Sequence, residues 1–92
     1  MYEVVSQIPV GKVSTYGGIA LLLGAPQCSR MVGRALKEVP DELSIPCHRV
    51  VNSTGSLVPG WVEQKQLLLA EEVSFKANGC VNLKEHLWHV DE

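Results

Sequence analysis

Apolar residues fall into short periodic blocks separated by turn residues, and no block is long enough to span a bilayer. Val4, Val5 and Ile8 lie at near-helical spacing and predict a short helix over residues 1–7. Pro9 stops it, because the residue before a proline avoids helical geometry. Thr15 stands as the N-cap of a second helix carrying Ile19, Leu22 and Leu23 inward, and Gly24 stands where a helix C-terminus places glycine. After Pro26 a third helix is expected from about Cys28 to Glu38, with Val32, Ala35 and Leu36 as a narrow apolar stripe. Its other faces carry Arg30, Arg34 and Lys37. Helix, glycine-containing turn and basic helix form a helix-turn-helix pattern, which two packed helices also make in proteins that bind no DNA. Ile45 to Val51 is apolar and β-branched and reads as a short extended segment, with Asn52 to Gly60 as a turn or wing. Glu63 to Glu72 predicts a helix, Val81-Asn82-Leu83 a last extended stretch, and Trp88 an anchor that packs the tail.

This gives a mainly α chain with a small β component. A length of 92 residues, 46% apolar and 20% charged, suits one small domain over residues 1–92 with a core just large enough to hold it. The N-terminus lacks the basic and apolar regions of a signal peptide, so a cytoplasmic protein with no membrane role is expected. Cys28, Cys47 and Cys80 are odd in number and match no zinc or redox spacing, so neither a disulfide scaffold nor a metal site is expected. The net charge of −2 argues against a protein that coats nucleic acid, but it is unevenly placed. Residues 1–50 set Lys12, Arg30, Arg34, Lys37 and Arg49 against Glu3, Glu38, Asp41 and Glu42, whereas the remainder is acidic. A nucleic-acid face therefore belongs in the first half.

Cys47 follows Pro46 and precedes His48 inside an apolar segment, which makes it a candidate nucleophile. The thiolate is the reactive form, and a free thiol with a pKa of about 8.5 needs a cationic or hydrogen-bonding neighbour to ionise at neutral pH. In an extended segment Cys47 and His48 point to opposite faces, so a bridging water suits them better than a direct bond. Taken alone, Cys47 reads first as a small buried apolar residue and only second as a nucleophile.

Several linked motifs change that balance. Ile45-Pro46-Cys47-His48-Arg49-Val50-Val51 closely resembles the active-site signature of the O6-alkylguanine-DNA alkyltransferases. Ile8 to Gly17 resembles the family's first block, Arg30-Met31-Val32-Gly33-Arg34-Ala35-Leu36 its recognition helix, and Gly55 with Lys65 to Glu72 the end of its pattern. The resemblance runs in order through residue 73 or so. It implies a winged helix-turn-helix-like fold that docks in the minor groove of double-stranded DNA containing O6-alkylguanine and flips the damaged base, without cofactor or metal, as a monomer. It assigns DNA contact to Tyr16, Ser29, Arg30, Gly33 and Arg34, with Arg30 filling the space of the extruded nucleotide and Tyr16 pressing on the phosphate. It assigns the lesion pocket to Pro46, Val50, Val51 and Trp61. Cys47 would accept the alkyl group, His48 would act on it through a water, and Glu72 would orient His48. Cys47 is accordingly expected to have the lowered thiol pKa.

The chain departs from the family pattern in four places. The usual N-terminal domain is missing from the sequence. Val39-Pro40 replaces Asn-Pro, and valine cannot make the hydrogen bonds by which that asparagine ties the recognition helix to the active-site segment. Val58-Pro59-Gly60-Trp61 replaces Tyr-Ser-Gly-Gly in a stretch about two residues shorter. Val73 follows Glu72 where glycine is usual. Such features are similar to alkyltransferase-like proteins, which bind alkylated DNA and hand it to excision-repair proteins without removing the alkyl group, although those usually lack the cysteine. Two functions follow: a single-turnover methyltransferase acting through Cys47, and a lesion sensor that retains the thiol.

Overall fold

The computed structural model describes residues 2–39 and 44–88. In chain order these form α1 (Tyr2–Ser6), β1 (Ser14–Thr15), α2 (Tyr16–Leu22), α3 (Ser29–Lys37), β2 (Val50–Val51), α4 (Glu63–Ala70) and α5 (Leu83–His86), with single 3-10 turns at Pro26–Cys28 and Cys47–Arg49. The chain is thus mainly helical with a small two-stranded sheet. Among the described residues no helix is long and apolar enough to cross a membrane.

Thr15 caps α2, its hydroxyl accepting from the Gly18 amide at 3.0 Å. Ile19 and Ala20 are the residues of α2 that reach the core. Leu22 and Leu23, expected inward, are each 43% exposed. The reason is the early end of the helix. Ala25 N–H donates to Ala20 O and Gly24 N–H to Leu21 O, a Schellman closure around Gly24 at φ +77, which leaves both leucines on the outer side of the turn. In α3, Val32 and Leu36 are buried and the basic residues stay outside.

Strands β1 and β2 pair in parallel, Ser14 opposite Val50 and Thr15 opposite Val51. Successive side chains on a strand face opposite sides, and here that alternation divides the interior. Val50 packs with Val5, Ile8, Ile19, Val32 and Leu36, while Val51 packs with Val13, Leu68, Val73 and Val81. Both valines are fully buried.

The segment at Cys47 is not extended as expected. Cys47–Arg49 forms a 3-10 turn after Pro46, with Arg49 N–H donating to Pro46 O at 3.0 Å, and only Val50–Val51 are strand. Cys47 and His48 therefore do not alternate across a strand. At the C-terminal end Val81 bridges to Phe75, but Leu83–His86 is helical rather than a continuation of that extended stretch. Trp88 packs against the first core group as expected, and its amide donates to Val13 O at 2.8 Å. The wing begins with a tight turn in which Asn52 Oδ1 accepts from the Thr54 and Ser56 amides. Gly55 at φ +87 is obligatory there: a Cβ would lie 2.7 Å from Val81 O.

Candidate functional site

The exposed face of α3 and the wing enclose a groove of about 550 Å³. It gathers all five residues assigned to DNA contact: Tyr16, Ser29, Arg30, Gly33 and Arg34. Helical spacing explains the basic part, because Arg30, Arg34 and Lys37 lie four and three residues apart and share a face. Gly33 faces the Tyr16 ring, where an added Cβ would meet Tyr16 carbons at an ordinary 3.8 Å.

A second concavity of about 510 Å³ adjoins it and shares Tyr16, Gly33, Lys37 and Val58 with the groove. Cys47, His48 and Trp61 line it, as does Val39. Val50 and Val51, expected in its wall, are instead core residues, because the strand alternation turns one into each half of the interior. Pro46 also lies outside the lining, which is completed on the apolar side by Leu36, Ile45 and Leu67. Trp61 is the member of the expected pocket set that the fold places there.

The carboxylate behind His48 is Glu71, not Glu72. Glu71 Oε2 lies 2.7 Å from His48 Nε2, and the same carboxylate takes Arg49 Nε at 2.9 Å and Arg49 Nη2 at 2.8 Å. Glu72 is exposed. The physical reason is the end of α4: Val73 N–H donates to Leu68 O and Glu72 N–H to Leu69 O, the closure seen at Gly24, which puts Glu72 in the left-handed region at φ +66 and aims its side chain away. Glu72 thus occupies the glycine position of a helix C-terminus, and the acidic site residue comes one place earlier.

Burial alone would raise the Glu71 pKa, but hydrogen bonds from Arg49 and His48, reinforced by charge attraction, hold it at about 2. An ionised carboxylate only accepts, so His48 donates through Nε2 and the acceptor lone pair of the neutral ring is left at Nδ1. Arg49 Nη1 also donates to Ile8 O at 2.8 Å, tying this cluster to the segment that follows α1.

Cys47 is partly buried, and its Sγ–H points to Leu36 O at 3.7 Å. Among the described residues no hydrogen bond joins it to His48. The expected lowering of its pKa is not found: burial pushes the thiol above its ordinary value, its own backbone hydrogen bond opposing this only in part. The Tyr16 phenol is raised as well, first by burial and then by the nearby Cys47, so it stays protonated and able to donate. Because Val39 offers no polar group to bridge α3 and the Cys47 turn, the Cys47–Leu36 contact is a direct link between them.

Gln64 is a site residue that sequence reasoning missed. It is fully buried on α4, where Oε1 accepts from the Val58 amide at 2.7 Å and Nε2 donates to His48 O and Val50 O, each at 3.2 Å. One side chain therefore sets both the wing and the Cys47 turn. In sequence it is one polar residue among several in Glu63-Gln64-Lys65-Gln66, with no signal to mark it. Among the described residues no group of His, Cys, Asp or Glu could hold a metal ion.

The chain is similar to proteins of known name and, in two cases, known structure. A protein named DNA base-flipping protein from Escherichia coli (strain K12) is 39% identical across 97% of this chain and 71% of its own length. The crystal structure of Schizosaccharomyces pombe Atl1, in complex with damaged DNA containing O6-carboxymethylguanine, superposes with a TM-score of 0.83 at 39% identity, covering 96% of this chain and 90% of Atl1. Mycobacterium tuberculosis OGT in complex with DNA gives a TM-score of 0.70 at 35% identity, covering 77% of this chain but 46% of that one. Residues 1–74 match the family model described as 6-O-methylguanine DNA methyltransferase, DNA binding domain, and the chain belongs to that family.

Proposed function

We propose that this protein binds duplex DNA containing an O6-alkylated guanine and flips the damaged base into the cavity between α3 and the Cys47 turn. The observation that carries this reading is the continuity of the basic groove with a largely apolar cavity through Tyr16, Gly33 and Lys37. Guanine O6 is out of reach inside a stacked duplex, so a site set back from the groove can act on it only after the base leaves the stack. Arg30, exposed near the start of α3, is suited to fill the space the base vacates. The test is binding to matched duplexes with guanine or O6-methylguanine at one position, with a fluorescent base analogue opposite the lesion. Lesion-selective binding with increased fluorescence supports the reading, and equal affinity for both duplexes overturns it.

A second reading is favoured by the thiol itself, which lines the same cavity next to a His48–Glu71 pair. In that reading Cys47 accepts the alkyl group. Its proton passes through a water to His48 Nδ1, the new S–C bond forms as C–O6 breaks, and the departing guanine anion takes that proton back from His48, so that the thiol proton and the alkyl group exchange places. The thioether is not reversed, so one chain repairs one lesion. The raised thiol pKa makes the step slow at neutral pH. Intact-protein mass after incubation with O6-methylguanine DNA separates the two readings. A single methyl increment, lost in Cys47→Ser, supports transfer; lesion-selective binding without a mass change leaves a sensor that passes the lesion to excision-repair proteins.

A further inference from the structure

Of the three basic residues on the outer face of α3, Arg30 and Arg34 line the groove alone, whereas Lys37 lines both the groove and the cavity. Among the described residues that line the cavity none is a carboxylate. The carboxylate behind His48 is occupied by two nitrogens of Arg49 and one of His48, so it contributes little net negative charge to the cavity. Apart from Tyr16, Ser44, Cys47 and His48, whose ring already faces Glu71, the rest of the wall is apolar. In such a wall a ligand carboxylate is costly to desolvate unless a cation meets it, while a neutral alkyl group incurs no such cost.

We propose that Lys37 is a specificity-determining residue, which lets the cavity accept O6-alkylguanines whose alkyl group ends in a carboxylate and makes it prefer them to neutral groups of the same shape. This rests on the lesion-binding function proposed above. The lysine side chain suits the task because its ammonium is a compact charge on a flexible four-carbon stem, able to follow adducts of different length. The apolar stem can lie along the cavity rim while the head meets the ligand. Arg30 and Arg34 remain on the groove side, where the phosphates of a duplex would approach.

The test compares O6-carboxymethylguanine with O6-carbamoylmethylguanine, which has the same shape without the charge, each in one duplex sequence at constant salt. Unmodified guanine is the third arm. The expected result is about three- to tenfold tighter binding of the carboxymethyl duplex, the range of a partly exposed charge-assisted pair. Lys37→Met should bring the ratio to one or below, and Lys37→Arg should restore most of it. Taking the ratio within each variant removes any loss of phosphate contact, which affects both duplexes alike. A wild-type ratio near one, or a ratio unchanged in Lys37→Met while both lesions still bind more tightly than guanine, overturns the role of Lys37. Equal binding of all three duplexes overturns instead the lesion-binding function on which it rests.

Discussion

On the α3 side of the cavity, Tyr16, Gly33 and Lys37 lie on the two consecutive helices α2 and α3, and the Thr15 cap lies three residues from the amide it satisfies. On the opposite side, Cys47 and His48 are placed by Gln64 and Glu71, which act on that turn across 14 to 23 residues. The first wall is a surface whose charges project outward, so its exposed basic residues can change without disturbing the fold. The second is a network of mostly buried polar groups in which each member satisfies another, and loss of one leaves partners unpaired. The groove and cavity thus meet as a tolerant face and an intolerant one.

The largest effect is expected at Glu71. Replacing it by Ala strands Arg49 and His48, and at about 1.5–3 kcal/mol per hydrogen bond to a charged group, discounted for partial exposure, the cost is about 3 kcal/mol. Urea unfolding should show it as a lower midpoint, and near-wild-type stability would mean that the two walls are equally tolerant. The pH dependence follows the same network. Glu71 has its folded pKa lowered to about 2 from an ordinary 4.5, so its stabilisation is present in full above about 4.5 and is lost as the pH falls toward 2. Wild type should lose stability over that window, and Glu71→Gln should lose less.

Gly55→Ala comes next. It combines positive φ with a Cβ 2.7 Å from Val81 O, and a cost of about 2 kcal/mol is expected in thermal or urea unfolding. Because the neighbouring wing supplies Val58 to both concavities, weaker lesion binding should accompany it. On the tolerant face, Arg30→Ala should leave the unfolding free energy from urea titration within about 0.5 kcal/mol of wild type while weakening lesion-duplex binding about tenfold. A variant that unfolded early would move Arg30 into the intolerant group.

The smallest expected effect sharpens the contrast between the two adjacent glutamates. Glu72→Gly relieves a left-handed backbone at φ +66 and should raise stability by about 0.5–1 kcal/mol. Unlike Glu71→Gln, it should leave the low-pH transition unchanged. If Glu72→Gly instead erased that transition, the carboxylate partner of His48 would be misassigned.

The helix-turn-helix was legible because its determinants are local. A cap at Thr15, a glycine at 24, an apolar stripe at Val32 and Leu36 and a basic face at Arg30 and Arg34 are short-range features whose meaning needs no distant partner. The motif around Cys47 is likewise contiguous, so the family resemblance it carries needs no distant partner. Three things depended on the three-dimensional fold. Which glutamate meets His48 turned on the register of the α4 terminus, where a non-glycine residue adopts the glycine conformation and hides the boundary. Whether Val50 and Val51 line the pocket or the core turned on what lies on each side of β2, which a run of apolar residues does not disclose. Whether the Cys47 thiol is activated turned on its burial against its hydrogen bonds, and burial is a property of the packed chain. Local backbone preference is written residue by residue, but the partner of a buried polar group is chosen only when distant segments close on each other, and here that choice made Gln64 and Glu71 the supports of the site.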